Sequence, residues 1–485
     1  MKNKLGTQLK PGTFIETDLT ERLDRLPWSN WHWRVVIALG ITWVLDGLEV
    51  TIVGSLASVL AEKETLNLSE VQIGSSASAY LAGAVIGSLL FGRLTDALGR
   101  KRLFLVSLAV YLAATVLTAF SWNFLSFAIF RALTGAAIGG EYSAINSAID
   151  ELIPARVRGR VDLAINSTFW IGTALGAAST IFLLDPQIIP HSIGWRICFL
   201  LGALLSVSIV LIRRYIPESP RWLILHGYLD EASAVVREIE AQVQKGTSTP
   251  LAPVTTSVRL EVKKSAPLME VAKLLFGKYL SRTVLGISLM TAQAFAYNAI
   301  FFTYALILSK FYGVPAERIG FYIIPFAVGN FLGPMALGHL FDSLGRRAMI
   351  AGTYFFSGIL LFLTGYSFAQ GWLSAETQTA LWCVVFFVAS AAASSAYLTV
   401  SELFPVDMRG LAIAIFYSIG TGVGGIAAPW IFGMLIQTGS RENVFYGYLL
   451  GALLMIIASV VALFLGVAAE GKSLEHLSAE IHPPI

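Results

Sequence analysis

Two short sequence motifs each occur twice in this chain, and their spacing restricts it to folds built from two similar halves. The first motif, Gly92–Lys101, returns at Gly338–Arg347, which begins 246 residues later. The second motif, Glu151–Gly159, returns at Glu402–Gly410, which begins 251 residues later. Two independent motifs with nearly the same offset indicate that about half of the chain is an internal duplicate of the other half.

The composition indicates which environment the two halves occupy. Of the 485 residues, 55% are hydrophobic and only 13% are charged, whereas a water-soluble protein of this size exposes far more charge. An apolar helix needs about 20 residues to cross a bilayer. The sequence therefore predicts an all-α membrane protein with twelve transmembrane helices in two pseudo-symmetric six-helix bundles. The expected spans cover residues 34–58, 71–91, 102–120, 123–150, 160–183, 196–214, 282–310, 319–341, 347–368, 376–402, 409–436 and 444–467.

Polar segments divide the chain into five expected regions. Their bounds are 1–33 for a cytoplasmic N-terminal segment, 34–214 for the N-terminal six-helix bundle, 215–281 for a cytoplasmic inter-bundle linker with short helices, 282–467 for the C-terminal six-helix bundle and 468–485 for a cytoplasmic tail. Within the linker, Leu229–Val243 mixes charged and apolar residues as an amphipathic surface helix does. The segment Lys245–Ser257 is rich in loop-forming residues.

Basic residues predict the orientation of the helices. Of the 34 Lys and Arg residues, 28 lie at segment ends that share a side with the chain termini. The positive-inside rule makes that side cytoplasmic. We therefore expect a multi-pass integral protein of a plasma membrane or a bacterial inner membrane, with membrane lipid around it. The net charge of +3 reflects this topology, so it predicts no nucleic-acid partner.

The sequence gives little sign of enzymatic or metal chemistry. Cys198 and Cys383 lie in apolar spans of opposite halves, which argues against a disulfide or a thiolate metal site. The six histidines show no ligand spacing, and the phosphate-binding pattern G-x-x-x-x-G-K-[ST] does not occur. We therefore expect no enzyme activity, no metal and no cofactor. Without an ATPase domain, energy for any uphill process must come from an ion gradient, or there is no coupling at all; the coupling ion that we expect is the proton.

The motifs together resemble the major facilitator superfamily, and within it the sugar-porter-like branch. The repeated Gly…Asp…Gly-Arg-[Lys/Arg] turns are similar to the hallmark loops of that superfamily. Pro217–Trp222, which reads Pro-Glu-Ser-Pro-Arg-Trp, and the tail Glu470–Glu475 are similar to sugar-porter signatures. The resemblance covers the chain from the first span to about residue 476. It implies a transporter of a small-molecule solute that works by alternating access, as a monomer.

Three other segments resemble different carriers, so the solute class stays open. In the seventh span, Gln293 and Asn298 keep the spacing of a sugar-porter motif whose other residues differ. Gly139-Gly140-Glu141 resembles organic-ion and nicotinate-type carriers, and Asp46-Gly47-Leu48-Glu49 resembles aromatic-acid:proton symporters. A sugar or polyol, an organic acid and an organic cation all remain candidates.

The repeated motifs also have a mechanical interpretation. Acidic and basic side chains at matching positions in both halves can pair across adjacent helices and hold the cytoplasmic side shut until the halves rock apart. The alternative is that the basic loops only orient the helices while the acids balance their charge. The residues expected in this cytoplasmic gate are Asp96, Arg100, Glu151, Arg158, Asp342, Arg346, Glu402 and Arg409.

Ionisable residues within the spans are candidates for proton coupling, because burying a charge in a membrane costs at least a few kcal/mol. Asp46 and Glu49 are three residues apart and share one side of a helix. By the resemblance, Glu49 occupies the position of the protonatable Asp of sugar:proton symporters, and Arg131 occupies that of its Arg partner. We expect proton coupling at Glu49, then Asp46, with Arg131. The alternative is a static structural ion pair.

Polar and aromatic residues of the spans form the expected solute site. Amides seldom face lipid, and aromatic rings offer flat contacts, although aromatic side chains in membrane helices often serve packing alone. The candidates are Glu141, Asn166, Trp170, Gln293, Tyr297, Asn298, Phe302, Asn330, Tyr397 and Tyr417.

The sequence therefore predicts a secondary active transporter, with proton-coupled symport of a small polar organic solute as the favoured function. A uniporter and a proton-driven exporter of the same solute classes are the alternatives within transport. A non-transporting membrane sensor is the alternative outside it.

Overall fold

A computed structural model of the chain describes residues 12–98, 100–213, 217–246, 250–254, 257–261, 268–403 and 406–466. The described residues form twelve long helical spans, as the apolar runs predict, and two of the spans are interrupted. The all-α fold follows from the medium, because a helix satisfies its backbone hydrogen bonds within one segment. Eight described helices are apolar and long enough to cross a bilayer, and two shorter ones are also apolar.

Six spans come from each half of the chain. The N-terminal bundle contains α2 (Asn30–Leu60), α3 (Glu70–Leu98), α4 (Arg100–Ala119), α5 (Phe124–Leu152), α6 (Ala155–Leu183) and α7 (His191–Arg213). The C-terminal bundle contains α11 (Leu280–Phe301) with α12 (Tyr304–Tyr312), α13 (Ala316–Ser343), α14 (Arg346–Ala369), α15 (Ala375–Leu403), α16 (Val406–Gly420) with a π-helical turn (Thr421–Gly425) and α17 (Ala427–Gln437), and α18 (Arg441–Leu465).

Small residues let helices of one bundle touch through their backbones. A Cβ atom added to Gly83 of α3 would lie 1.9 Å from the carbonyl oxygen of Ala132 on α5. One added to Gly135 of α5 would lie 1.9 Å from the carbonyl oxygen of Tyr80 on α3. Membrane helices pack in this way because lipid provides no hydrophobic force between them, so close van der Waals contact has to hold the bundle together.

Two arginines show the internal duplication in three dimensions. Arg196 of α7 donates to the carbonyl oxygen of Ala119, the last residue of α4. Arg441 of α18 donates to the carbonyl oxygen of Phe368 at the end of α14. Each guanidinium thereby caps carbonyl groups that a helix C-terminus leaves unsatisfied. The two arginines are 245 residues apart, close to the offset of the sequence motifs.

A small module covers the face of the protein on which the described chain begins, here called the terminal face. It contains α1 (Leu19–Asp24), α8 (Pro220–Leu225), α9 (Leu229–Lys245) and an antiparallel pair of strands, β1 (Phe14–Thr17) and β2 (Val258–Glu261). Helix α9 covers the expected amphipathic segment. The sheet was not expected from the sequence. A last short helix, α10 (Leu268–Phe276), leads into the C-terminal bundle.

Ion pairs, in addition to apolar contacts, hold this module together. Glu240 of α9 accepts hydrogen bonds from both Arg22 and Arg25, each with a nitrogen–oxygen distance of 2.5 Å. Desolvation opposes ionisation of this partly buried carboxylate, but the hydrogen bonds from the two arginines outweigh it and lower the pKa of Glu240. The N-terminal segment is therefore tied directly to the linker between the bundles.

Candidate proton and solute site

The two bundles are closed against each other on the face opposite the terminal face. The Nζ atom of Lys310 on α12 lies 2.7 Å from Oε1 of Glu70 at the start of α3, and 3.4 Å from the carbonyl oxygen of Gln437. A Cβ atom added to Gly74 of α3 would lie 2.3 Å from the carbonyl oxygen of Pro429 on α17. Backbone contact of this kind leaves no passage along the α3–α17 seam.

A buried ion pair lies within the N-terminal bundle. Nη1 of Arg131 on α5 donates to Oε1 of Glu49 on α2, and both side chains are completely buried. Loss of either partner would leave an uncompensated charge in apolar surroundings unless a proton neutralised it. Glu49 and Arg131, two of the residues expected in proton coupling, are thus in direct contact.

The surroundings of the Glu49 carboxylate leave little free space. The Tyr111 hydroxyl of α4 donates to Oε2 of Glu49 over 3.4 Å. On α7, a Cβ atom at Gly202 would lie 3.1 Å from the same oxygen, so glycine leaves the room that the carboxylate occupies. Sequence reasoning missed Tyr111 and Gly202, because a single tyrosine or glycine in an apolar span carries no functional signal of its own.

Asp46 lies close to the ion pair. Its Oδ1 atom accepts a hydrogen bond from the Tyr80 hydroxyl of α3 over 3.3 Å. The Arg131 guanidinium carbon stands 4.5 Å from the centre of the Tyr80 ring, within range of a cation–π interaction. Tyr80 therefore connects Asp46 to Arg131. The three residues expected in proton coupling lie in one buried network.

Aromatic side chains from both bundles meet near the middle of the molecule. Trp170 of α6 has its ring centroid 6.2 Å from that of Tyr297 on α11 and 6.2 Å from that of Phe326 on α13. Phe301 of α11 stands 6.4 Å from the same tryptophan. We call Trp170, Tyr297, Phe301 and Phe326 the aromatic cluster. Trp170 comes from the N-terminal bundle and the other three members come from the C-terminal bundle, so the cluster lies where the two halves face each other. A flat solute that stacks on these rings would contact both halves.

Polar groups border this cluster on the side of the C-terminal bundle. The Tyr297 hydroxyl donates to Oδ1 of Asn330 over 3.0 Å. The Asn330 amide nitrogen donates to the carbonyl oxygen of Phe326. Ser390 of α15 donates to the carbonyl oxygen of Asn330 over 2.8 Å. The structure thus brings together Trp170, Tyr297 and Asn330 of the expected solute residues. Phe301, Phe326 and Ser390 were not predicted.

The seventh span is broken next to its polar residues. Helix α11 ends at Phe301 and α12 begins at Tyr304. The Asn298 amide donates to the carbonyl oxygen of Ala294 over 2.7 Å, within its own helix. Phe302, at the break, packs its ring 6.1 Å from that of Tyr80 in the other bundle. Gln293 is half-buried on α11.

The remaining expected solute residues are not members of the aromatic cluster. Asn166 is half-buried one turn before Trp170 on α6, and Tyr417 is half-buried on α16 beside Ser418, whose hydroxyl lies 3.0 Å from that of Ser88. Glu141 is buried, and it lines a small cavity inside the N-terminal bundle together with Asp46. The side chain of Tyr397 lies outside the described residues.

Of the expected gate residues, only Arg346 has a side chain among the described residues. Arg346 is half-buried in the first turn of α14. The side chains of the other seven gate residues, Asp96, Arg100, Glu151, Arg158, Asp342, Glu402 and Arg409, lie outside the described residues, so their pairing stays a prediction. In the part of the chain that the structure describes, no group of three or more His, Cys, Asp or Glu residues has the geometry of a metal site.

Comparison with known proteins agrees with the fold and the repeated motifs. The family described as "Sugar (and other) transporter" matches residues 48–480. A niacin transporter of Acinetobacter baylyi is 28% identical over 464 residues, which are 95% of this chain and 99% of that protein. A 4-hydroxybenzoate transporter of the same organism is 27% identical over 86% of this chain and 88% of its own length.

A solved structure has the same fold. The xylose transporter of E. coli in a partially occluded inward open conformation superimposes with a TM-score of 0.70. It is 19% identical in sequence, and the match covers 92% of this chain and all of the other. The twelve-helix architecture in two bundles is therefore a known one.

Proposed function

Because this chain belongs to the family of sugar (and other) transporters, we propose that it is a proton-coupled symporter that takes up small aromatic carboxylates by alternating access. Membership of the family makes it a multi-pass transporter of small molecules and no enzyme. The coupling ion, the solute class and the direction of transport are parts of the proposal.

The observation that carries proton coupling is the ion pair of Glu49 and Arg131. Both groups are completely buried, and the pair lies between helices of one bundle. A neighbouring Arg keeps a carboxylate ionised, whereas an apolar environment favours its protonated form. A small movement of Arg131 therefore switches Glu49 between releasing and holding a proton. Alternating access can drive such a movement through Tyr80, whose ring centre lies 4.5 Å from the Arg131 guanidinium carbon and 6.1 Å from the ring of Phe302 in the other bundle.

The aromatic cluster supports a flat, apolar-faced solute. Indole and phenol rings at the meeting of the two bundles offer the faces and edges on which another ring stacks. The Tyr297–Asn330 pair beside them offers a hydroxyl and an amide that can bind polar substituents. Niacin and 4-hydroxybenzoate, the solutes named for two relatives, are flat aromatic carboxylates. A sugar has no aromatic ring, so it would stack less completely on these ring faces.

The distribution of basic residues supports the orientation. We place the terminal face in the cytoplasm, because most Lys and Arg residues lie on that side. The closed face, which carries Glu70 and Lys310, then faces outward. In the opposite state the gate residues, among them Asp96, Arg100, Glu151 and Arg158, pair and close the cytoplasmic side. Their counterparts Asp342, Arg346, Glu402 and Arg409 do the same for the second half.

Transport into liposomes containing the purified protein tests the proposal. With the external pH below the internal pH, labelled nicotinate or 4-hydroxybenzoate is expected to accumulate above its equilibrium level, after subtraction of passive entry into protein-free liposomes. D-xylose is expected not to accumulate. Glu49→Gln is expected to abolish accumulation but to retain exchange of solute against solute, because exchange needs no net proton movement.

The controls separate the alternatives. Glu442→Gln removes a carboxylate that accepts a hydrogen bond from the exposed Tyr446 on α18, and it is expected to transport like the unaltered protein. Equilibration without accumulation would identify a uniporter, and net efflux under the same gradient an exporter. Binding without exchange would identify a sensor, and accumulation of xylose alone would refute the aromatic solute class.

A further inference from the structure

A small cavity lies inside the N-terminal bundle, next to the Glu49–Arg131 pair. Asp46 and Thr42 of α2, Tyr111 of α4 and Glu141 of α5 provide its polar lining, and apolar side chains complete it. It has room for about one water molecule. Asp46 and Glu141 are each 6% exposed. Two largely buried carboxyl groups therefore line one small cavity.

Tyr111 belongs both to this cavity and to the ion pair. Its side chain lines the cavity, and its hydroxyl donates to Oε2 of Glu49. On the other side of the pair, Tyr80 joins Asp46 to Arg131 through a hydrogen bond and a ring face. Tyr111 thus bonds one carboxylate and borders the cavity that other carboxyl groups line. Its hydroxyl group is suited to pass a proton from the first carboxyl group to the others.

Arg131, which does not itself line the cavity, has further buried donors beside the ion pair. One of its nitrogens donates to Glu49, while Nε and Nη2 are buried and bond no other atom of the described residues. Buried donors of a charged group are almost always satisfied in native proteins, and an ordered water is the usual partner where protein atoms are lacking.

The order of the groups along the helices gives a direction. Helix α2 runs away from the terminal face, so Asp46 lies about 4.5 Å nearer to that face than Glu49. Helix α5 runs toward the terminal face, so Glu141 lies about 15 Å nearer to it than Arg131. The cavity therefore lies between the ion pair and the terminal face.

We propose that Asp46 and Glu141, with a water molecule in this cavity, form a second proton station through which Glu49 releases its proton toward the terminal face. This inference rests on the proposed proton coupling at Glu49. When Arg131 pairs with Glu49, the carboxyl proton of Glu49 passes through the Tyr111 hydroxyl or the water to the Asp46–Glu141 pair. The proton is the only particle that moves, and Glu49 is left as a carboxylate.

Two carboxyl groups on the lining of one small cavity suit this role. A proton held on either carboxyl group reduces the repulsion between two like charges, so the pair is suited to accept the proton that Glu49 gives up. Among the described side chains, Tyr80 bonds Asp46 and Tyr111 lines the cavity, and these two tyrosines contact Arg131 and Glu49 respectively. Their contacts hold the station next to Glu49, while Glu141 provides its exit. On this assignment Glu141 carries protons instead of binding the solute.

Infrared difference spectroscopy on the purified protein tests the station without any solute. A pH titration is expected to show the band of a protonated carboxyl group that persists in Glu49→Gln and disappears in the double variant Asp46→Asn, Glu141→Gln. Glu49→Gln alone is expected to remove a different band. A spectrum in which the double variant loses no carboxyl band would overturn the station and leave coupling at Glu49 intact.

Proton movement in liposomes is the functional test, with 4-hydroxybenzoate as the solute and a trapped pH dye as the reporter. Asp46→Asn and Glu141→Gln are each expected to slow solute-driven proton release at least tenfold more than they slow solute exchange. Ser55→Ala, another buried polar residue of α2, serves as the control. Equal loss of exchange and proton release would overturn the proposal in favour of a solute-binding or structural role.

If an amide variant fails to fold, conservative replacements that keep a carboxyl group provide the test. Asp46→Glu and Glu141→Asp retain a titratable group and are expected to restore most of the proton release. If they are as slow as the amide variants although folded, the carboxyl groups do not carry the proton. If Glu49→Gln retains proton-driven accumulation, the proposed function fails first, whatever Asp46 and Glu141 do.

Discussion

Lys310 and Glu70 connect the two halves of the protein by an ion pair with a nitrogen–oxygen distance of 2.7 Å. Lys310 lies in the last turn of the broken seventh span and Glu70 begins the second, so the pair forms where the bundles meet. Both side chains are about a quarter to a third exposed. The pair therefore exists in the conformation that is closed on this face, and it must break when the face opens.

Removing this pair is expected to favour opening of that face. An exposed ion pair contributes up to about 1 kcal/mol, which corresponds to about a fivefold change in the ratio of the two states. Glu70→Gln should raise the labelling rate of a cysteine placed at Ser78, measured with a membrane-impermeant thiol reagent, several-fold. The exchanged pair Glu70→Lys with Lys310→Glu should return the rate toward its original value. An unchanged rate in Glu70→Gln would show that the pair is not part of the closure.

Gly74 provides a steric test of the same closure. Its replacement by alanine would bring Cβ to 2.3 Å from the carbonyl oxygen of Pro429 in the other bundle, so the closed state should be disfavoured. Net uptake is expected to fall about tenfold or more, while the thermal stability of the protein changes little. Gly83→Ala, which disturbs contact within one bundle, should instead lower stability. Gly352→Ala meets no atom within 4 Å and should behave normally.

Trp170 is expected to determine affinity for an aromatic solute. Replacement by leucine removes an aromatic contact worth about 0.5–1.5 kcal/mol beyond its buried area, so the KM for nicotinate or 4-hydroxybenzoate should rise by roughly threefold to tenfold. Uptake kinetics measure this effect. Trp122→Leu on the outer surface removes the same kind of side chain away from the cluster and should leave KM unchanged. A KM unaffected by Trp170→Leu would contradict the solute site.

The two arginine caps should contribute to stability in both halves. Arg196→Ala leaves the carbonyl groups of Ala119 and Ser121 without their charged donor, and Arg441→Ala does the same for those of Phe311 and Phe368. A hydrogen bond from a charged group contributes about 1.5–3 kcal/mol. Thermal unfolding in detergent should show a clearly lower midpoint for each variant. A midpoint equal to that of Arg237→Ala on the exposed side of α9 would argue against the caps.

The terminal-face module should weaken in acid through Glu240. Its pKa is lowered in the folded protein by hydrogen bonds from Arg22 and Arg25. A depressed carboxylate pKa contributes stability above the unfolded value, about 4.3, and this stability is lost as the pH falls through the folded value. Hydrogen exchange of β1 and β2, corrected for intrinsic rates, should therefore accelerate below about pH 4. Glu240→Gln should exchange faster at neutral pH and show little further change on acidification.

The helical spans were predictable because, in a bilayer, the sequence of each segment alone decides whether that segment forms a spanning helix. Each apolar run has to satisfy its own backbone, so length and hydropathy are enough to place a helix. The breaks at Phe302–Thr303 and at the π-helical turn near Gly424 were not predicted. They depend on contacts with other helices, such as that of Gly424 with Thr291. The strand pairing of Phe14 with Glu261 joins residues too far apart in sequence for any local pattern to reveal.

The candidate site was predictable only in part. Contact between Glu49 and Arg131 followed from the resemblance of these positions to a known pattern. The roles of Tyr111 and Phe326 did not, since both are ordinary constituents of an apolar helix until the neighbouring helices are known. Asp46 was recognised as a buried carboxylate, but its shared cavity with Glu141 depends on how α2, α4 and α5 face one another.

The sequence by itself determined the twelve helices, the duplication and the transporter family, because these depend on runs and motifs that each segment carries alone. The tertiary structure decided which side chains meet. Trp170 contacts Tyr297, and Lys310 contacts Glu70, across more than a hundred residues of chain. Such contacts depend on the rotation and tilt of each helix against its neighbours, which small residues such as Gly74 and Gly135 set by allowing close approach. No local pattern in the chain encodes that rotation.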